Sequence, residues 1–169
     1  PVAGVMKALE TLEGAPGRLL LIGTGPKGGV AYVDYAHTPD GLETVLKALR
    51  PHVEGKLIVV FGAGGDRDRT KRPLMGGIAA KYADLAIVTD DNPRSEDPAA
   101  IRAEVMAGTT GMQNIGDRRA AIRAGVALLA AGDILVVAGK GHEQTQTVAG
   151  IVHHFDDVIE TDQALRGKP

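Results

Sequence analysis

The sequence contains no cysteine and no tryptophan, and aromatic residues make up only 3% of its 169 residues. Without cysteine the chain forms no disulfide and has no thiolate for nucleophilic or metal chemistry, and a reducing compartment fits this composition. Because aromatic side chains are so few, we expect a core of valine, isoleucine, leucine and alanine. The length is enough for one domain, which would bury about 70% of the surface of the unfolded chain.

Long apolar segments and an excess charge are also missing. No apolar run approaches the roughly 20 residues that span a bilayer, so no membrane partner is predicted. The formal net charge is −2, which gives no electrostatic reason to expect a nucleic-acid partner. The first residues, PVAGVMKALE, lack the basic and apolar regions of a signal peptide and lack an initiator methionine. We interpret the chain as a piece cut from something longer.

The chain does contain five apolar runs of strand length, separated by helical patterns. The last three are almost continuously hydrophobic, which is typical of parallel strands that are covered on both faces. Strands that alternate with helices at this spacing indicate βαβ units. The runs are residues 18–22, 30–35, 56–62, 84–90 and 133–139, and residues 145–155 are typical of a hairpin. The predicted fold is α/β, a Rossmann-like, mostly parallel sheet flanked by helices, with a C-terminal β-hairpin.

Residues 1–17 do not fit this alternation. Their apolar positions have helical spacing and precede the first strand. Two interpretations stay open: a helix that packs on the sheet, or the last helix of a preceding domain.

The segment GTGPKG, residues 23–28, matches the dinucleotide fingerprint G-x-G-x-x-G. That fingerprint needs a helix after the loop, because the helix N-terminus binds the pyrophosphate. Here Pro26 interrupts the segment, and a predicted strand follows it instead of a helix. We therefore predict a hairpin turn, and a nicotinamide-dependent oxidoreductase is disfavoured.

Polar segments follow three predicted buried strands directly. They are FGAGGDRDRTKRP (61–73), TDDNPRSEDP (89–98) and AGKGHE (138–143). In an open parallel sheet the carboxyl ends of the strands form the ligand crevice. A single segment of this kind is often only a solvated loop. Three that converge would bring together Arg67, Arg94, Asp91, Asn92 and Glu143, and cationic and anionic groups in one pocket suit a zwitterion such as an amino acid.

The segment VDYAHTPDGLE, residues 33–43, ends the second strand and opens a helix. Asp34 or His37 could contact a ribose or a phosphate, although a histidine near a helix start is often structural. The same two interpretations apply to His142. No spacing of histidine and carboxylate residues predicts a metal site.

Taken in order, VDYAHTPD, GGDRD with KRP, DDNPR and GKGHE resemble the C-terminal domain of the Mur ligase family over about residues 15–160. The resemblance implies a three-domain, ATP-dependent, amide-forming ligase of peptidoglycan synthesis in the bacterial cytoplasm. Its central domain would hold a phosphate-binding loop, and its C-terminal domain would supply the incoming amino acid. On this basis residues 1–17 would be a remnant of the central ATPase domain and hinge, and residues 18–169 the amino-acid-binding domain.

The resemblance also implies ligands and contacts. The DNPR segment is similar to the motif of family members that add meso-diaminopimelate. The contacts carried over to this sequence are Arg67, Asp91, Asn92, Pro93, Arg94, Gly139 and Glu143. Arg67 and Arg94 would bind the distal carboxylate, and Glu143 with the carbonyl of Gly139 would bind the distal ammonium.

For ATP, the resemblance implies Arg18 near the terminal phosphate, Asp34 on the ribose and His37 nearby. Mg²⁺ and the UDP-MurNAc-dipeptide would be bound mainly by the other domains, so this chain would hold no catalytic residue of its own. A free-standing amino-acid-binding module and a folylpolyglutamate-synthetase-like ligase domain are the alternative interpretations.

The sequence has no G-x-x-x-x-G-K-[ST] segment, the loop that cradles nucleotide phosphates. We therefore expect the purified 169-residue chain to hydrolyse no ATP and to form no amide product. A phosphate-release assay with meso-diaminopimelate and the UDP-linked dipeptide checks this. Turnover above the protein-free blank would contradict it.

Overall fold

The computed structural model describes residues 17–167. Within them, six strands form the main sheet in the order β1-β2-β6-β3-β4-β5, and only β1 runs antiparallel to its neighbour. The strands are β1 Leu20–Thr24, β2 Val30–Asp34, β3 Leu57–Phe61, β4 Leu85–Val88, β5 Gln113–Asn114 and β6 Ile134–Ala138. The predicted mostly parallel sheet is confirmed.

Helices cover both faces of this sheet. Helices α1 (Pro39–Leu49), α2 (Lys71–Tyr82) and α3 (Pro98–Met106) pack on one face, and a short 3₁₀ turn, Arg50–His52, follows α1. Helices α4 (Arg118–Leu128) and α5 (Asp157–Leu165) pack on the other. Asp97 and Asp117 cap α3 and α4 by accepting hydrogen bonds from backbone N–H groups of the first turn.

The burial of β3 and β6 explains their continuous apolar sequences. In β3, Leu57, Val59 and Phe61 face the α1–α3 side. Ile58 and Val60 face the α4–α5 side. Successive strand residues point to opposite faces, so a sheet that is covered twice needs apolar residues at every position.

The order of the strands places a crevice at one edge. Strand β6 lies between β2 and β3, although the chain reaches it only after β5. Helix α4 makes this return on the face opposite α1, α2 and α3. The carboxyl ends of β2, β6, β3 and β4 therefore lie side by side, where open parallel sheets bind their ligands.

Two predicted hairpins are present. The GTGPKG segment forms the turn between β1 and β2, where the N–H of Gly25 donates to the carbonyl of Gly29 at 2.7 Å. Near the C-terminus, β7 (Thr145–Val148) and β8 (Ile151–His154) pair around Ala149 and Gly150, both at positive φ. The short strand β5 was not predicted, because two exposed polar residues give no apolar pattern.

The predicted N-terminal helix falls on residues 1–16, which lie outside the described residues, and the boundary between residues 17 and 18 stays a prediction. Within residues 17–167, no helix is long and apolar enough to cross a membrane.

Two adjacent glycines of α2 provide a test of the packing between α2 and α3. A Cβ on Gly76 would lie 1.9 Å from the carbonyl oxygen of Val105 in α3, whereas a Cβ on Gly77 would meet nothing within 4 Å. We expect Gly76→Ala to lower the free energy of unfolding by about 1–3 kcal/mol through overpacking. The matched control, Gly77→Ala, should raise it by roughly 0.5–1 kcal/mol. Urea unfolding measures both, and equal effects would contradict this account of the helix contact.

Candidate functional site

A cavity of about 320 Å³ lies at the carboxyl ends of β2, β3, β4 and β6. Its walls include six of the seven residues predicted to contact the amino acid. These are Arg67, Asp91, Asn92, Arg94, Gly139 and Glu143. The structure therefore brings the three polar segments together, as the topology requires, while the identity of the ligand stays a prediction.

Pro93 is the predicted contact that does not line the cavity. Its carbonyl group instead lies where the loop after β4 packs against the loop after β3. A Cβ on Gly65 would lie 1.9 Å from the carbonyl oxygen of Pro93, so only glycine fits there. The N–H of Gly65 also donates to the carbonyl of Asn92 at 2.9 Å. The loop after β3 is thereby held directly against the loop after β4.

The basic residues of the segment 61–73 divide into two groups. Arg72 is completely buried and Arg69 is exposed, and both form ion pairs with Glu104. Arg67 and Lys71 line the cavity instead. Within residues 17–167, no carboxylate lies within ion-pair distance of Arg67, which leaves its guanidinium available to an anion.

Arg94 supplies the second cavity guanidinium and is held in a specific conformation. Its φ of 55° lies in the left-handed region, which is costly for a residue with a side chain. One guanidinium nitrogen, Nη1, donates to the carbonyl of Gly65 at 2.7 Å. The backbone N–H of Arg94 donates to the carbonyl of Thr147 at 3.0 Å. The remaining N–H groups of the guanidinium can bind a ligand.

Carboxylates form the opposite side of the cavity. Asp91 is only 6% exposed. Glu143 is half-buried and accepts a hydrogen bond at Oε2 from Asn92 Nδ2, at 3.1 Å. Gly139 directly follows β6, with φ of 123°, and a Cβ there would lie 2.7 Å from Asp91 Oδ2. A side chain at position 139 would thus displace the Asp91 carboxylate.

The β7–β8 hairpin fixes the loop that follows β4. Besides the contact from Arg94, the N–H of Thr147 donates to Asn92 Oδ1 at 2.9 Å. Gln146 Nε2 donates to the carbonyl of Asp91 at 2.8 Å. The sequence predicted the hairpin but gave no sign that it packs on this loop.

A buried ion pair supports the end of β6. Arg118 and Asp157 are both completely buried and join through two hydrogen bonds of 2.8 and 2.7 Å. Arg118 also donates to the carbonyl of Ala138 at 3.0 Å. The pair therefore connects α4 and α5 to the last residue before Gly139.

The three residues predicted to contact ATP line two neighbouring cavities, and Tyr35 connects them: the Arg18 guanidinium lies 5.3 Å from the centre of the Tyr35 ring, which is 4.5 Å from the centre of the His37 ring. Arg18 and Asp34 line a separate depression of about 380 Å³ beside α1, whereas His37 lines the main cavity. The Asp34 carboxylate accepts hydrogen bonds from the N–H groups of Leu19 and Ala36, both at 2.7 Å. Its remaining lone pairs can still accept a ribose hydroxyl, and the exposed Arg18 can bind a phosphate.

Within residues 17–167, no group of three or more His, Cys, Asp or Glu side chains is arranged to hold a metal ion.

Two lysines of the site were not singled out from the sequence. Lys71 Nζ donates to the carbonyl of His37 at 2.9 Å, and burial lowers the pKa of this lysine. Lys140 is completely buried beneath Asp91 and Glu143. Lys140 belongs to the GKGHE segment, but a lysine after a strand gives no sequence signal that it is buried.

The parallel sheet and the cavity of mixed charge define an α/β ligand-binding domain. The chain belongs to the family described as Mur ligase, glutamate ligase domain, which matches residues 17–141.

The relatives that the chain resembles carry a narrower name. The UDP-N-acetylmuramoyl-L-alanyl-D-glutamate–2,6-diaminopimelate ligase of Caulobacter vibrioides is 75% identical over 165 residues, which are 98% of this chain and 34% of that protein. The enzyme of the same name from Mesorhizobium japonicum is 58% identical over 166 residues, again 98% of this chain and 34% of that protein. A solved structure of a ligase with this name superposes with a TM-score of 0.85 at 46% identity, over 99% of this chain and 35% of the other. The chain spans about a third of the length of these relatives.

The ion pairs of Arg72 make the site sensitive to acid. Arg72 donates to Glu96 at 2.8 and 2.9 Å and to the carbonyl of Gly64 at 3.1 Å. Arg72, together with the N–H of Asp66, lowers the pKa of Glu96 to about 2. A carboxylate with a lowered pKa stabilises the folded state above its unfolded pKa of 4.5, and this contribution is lost as the pH falls towards 2.

We therefore expect Glu96→Gln to destabilise the protein at pH 7 and to have a smaller effect at about pH 3. Urea unfolding at both values measures the difference from the unsubstituted protein. Glu54→Gln is the control, because Glu54 is exposed and forms no ion pair within residues 17–167. An effect of Glu96→Gln that is the same at both pH values would contradict the assignment.

Proposed function

We propose that residues 18–169 form the amino-acid-binding domain of an ATP-dependent ligase that adds meso-diaminopimelate to UDP-MurNAc-L-Ala-D-Glu. Residues 1–17 would then belong to the central ATPase domain and hinge. The observation that carries the proposal is the single cavity that holds Arg67 and Arg94 together with Asp91 and Glu143. The names of relatives at 46–75% identity support the same substrate.

The two charged sides of the cavity suit the distal end of diaminopimelate. Arg67 and Arg94 bind its carboxylate, and the planar guanidinium fits a carboxylate through paired hydrogen bonds. Glu143 and the carbonyl of Gly139 accept from its ammonium, next to Asp91. The other amino group of the ligand is left free to act as the nucleophile. Lysine has no distal carboxylate, so it would leave the guanidinium groups of Arg67 and Arg94 without a carboxylate partner.

The proposed reaction forms an amide through an acyl phosphate. The D-glutamyl carboxylate of the UDP-linked dipeptide takes the terminal phosphoryl group of ATP, and ADP leaves. The free diaminopimelate amine then attacks the carbonyl carbon of the acyl phosphate, a proton is lost from the nitrogen, and phosphate leaves as the amide forms. Mg²⁺ neutralises the phosphate charges during such a transfer, and the other domains would hold most of its ligands. Arg18 would bind a phosphate of ATP and Asp34 its ribose, and His37 would lie close by. These nucleotide-linked substrates place the reaction in the bacterial cytoplasm.

A domain exchange tests the proposal. The test uses a chimera in which this chain replaces the matching third of the Caulobacter vibrioides relative. We expect the chimera to release phosphate and form product with meso-diaminopimelate, and to use L-lysine poorly.

Arg94→Ala in this chimera should raise the KM for meso-diaminopimelate by about 10- to 100-fold, because it removes charge-assisted hydrogen bonds. The KM for L-lysine should change little.

Arg123→Ala is the control for the arginine substitution. Arg123 is exposed on α4, on the face of the sheet away from α1–α3, and should not affect either KM. A folded chimera that uses L-lysine as well as it uses meso-diaminopimelate would contradict the proposed selectivity. Binding of meso-diaminopimelate without product formation would favour a free-standing binding module.

A further inference from the structure

Lys140 is a buried cation on the acidic side of the cavity, and the proposed reaction assigns it no part. It follows Gly139 directly and is completely buried. Its Nζ donates to Asn92 Oδ1 at 3.1 Å and to the carbonyl of Thr145 at 2.8 Å. The same nitrogen lies 3.8 Å from a carboxylate oxygen of Asp91 and 3.8 Å from one of Glu143.

The hydrogen bonds around Asn92 fix the direction of its side-chain amide. Two donors, Lys140 Nζ and the backbone N–H of Thr147, converge on the same end. Only the amide oxygen can accept these hydrogen bonds, since the amide NH₂ group is a donor and accepts none. The other end is therefore the nitrogen, which donates to Glu143 Oε2. Asn92 could act as donor or acceptor in principle, and Lys140 together with the N–H of Thr147 makes it a donor to Glu143.

This arrangement determines what the acidic side offers a ligand. Oε2 of Glu143 is committed to Asn92, and within residues 17–167 no hydrogen-bond donor reaches Oε1. The side chains of Asp91 and Glu143 carry two negative charges, and Lys140 carries one positive charge between them. Oε1 of Glu143 is thus left to accept a hydrogen bond from a ligand ammonium, and Lys71, which also lines the cavity, is a second cation near Asp91. Burial lowers the pKa of Lys140, and the carboxylate of Asp91 opposes that shift.

We propose that Lys140 is a positioning residue for the ammonium of the incoming amino acid. It acts through Asn92, which it orients together with the N–H of Thr147, and Asn92 in turn orients Glu143. The inference rests on the proposed function, because the ammonium is that of the amino acid substrate. Lys140 itself does not contact the reacting atoms.

Steady-state kinetics of the chimera test this role. We expect Lys140→Met, which keeps the unbranched side chain up to the ε position and removes the ammonium group, to raise the KM for meso-diaminopimelate by about 10- to 100-fold. The effect on kcat should be much smaller, because the distal ammonium takes no part in bond formation. Lys27→Met, in the exposed β1–β2 turn, is the control and should change neither constant.

A double-substitution cycle separates positioning from a general structural effect. If Lys140 acts through Asn92, the variant with both Asn92→Ala and Lys140→Met should have a KM close to that of the worse single variant. If the double substitution raises the KM by the product of the two single effects, the proposal is overturned. An unchanged KM in Lys140→Met would also overturn it. An inactive unsubstituted chimera would instead count against the proposed function.

NMR of the unsubstituted 169-residue chain gives a readout that needs neither substitution nor turnover. A buried, hydrogen-bonded ammonium exchanges its protons slowly. We therefore expect a resolved ¹⁵N signal for Lys140 Nζ at neutral pH, with a scalar coupling across the hydrogen bond to the side-chain carbonyl carbon of Asn92. Proton exchange as fast as that of Lys27 would overturn the proposal, even if Lys140→Met failed to fold.

Discussion

The parallel pairing of β6 between β2 and β3 is the constraint on which the site depends. Val30 and Leu57 both pair with Ile134, and Asp34 pairs with Ala138, so the three strands end at nearly the same level. Their loops therefore begin side by side at one edge of the sheet. A chain with the same strands but with β6 at the outer edge would separate Glu143 from the arginines.

Buried cations hold the loops that leave this edge. Arg72 lies under the loop after β3, Arg118 under the end of β6, and Lys140 under the acidic side of the cavity, and all three are fully buried. A buried charge is costly unless carboxylates and hydrogen-bond acceptors surround it, and each of these side chains has both. Separating a buried cation from its carboxylate would leave both charges uncompensated. Because such separation is costly, the loops are held in a single arrangement. The cavity residues are then held before any ligand binds.

Much of the fold could be predicted because it follows from local patterns. Continuous apolar runs identified the doubly covered strands, and a proline with a following strand excluded a dinucleotide loop at residues 23–28. Strand β5 was missed because pairing with β4, and not its own composition, makes Gln113 and Asn114 a strand. The relative position of β6 likewise depends on a long-range return of the chain.

The sequence by itself determined the fold class, the family resemblance and the set of charged residues that follow the buried strands. Only the tertiary structure decided which of those charges face the cavity: Arg67 and Lys71 line it, whereas Arg72 is buried with Glu96 and Glu104. It also decided that Lys140 is buried and that His37 lines the same cavity as Arg67 and Lys71. The physical reason is that burial and ion pairing depend on residues far apart in the chain, while hydrophobic periodicity and capping depend on neighbours.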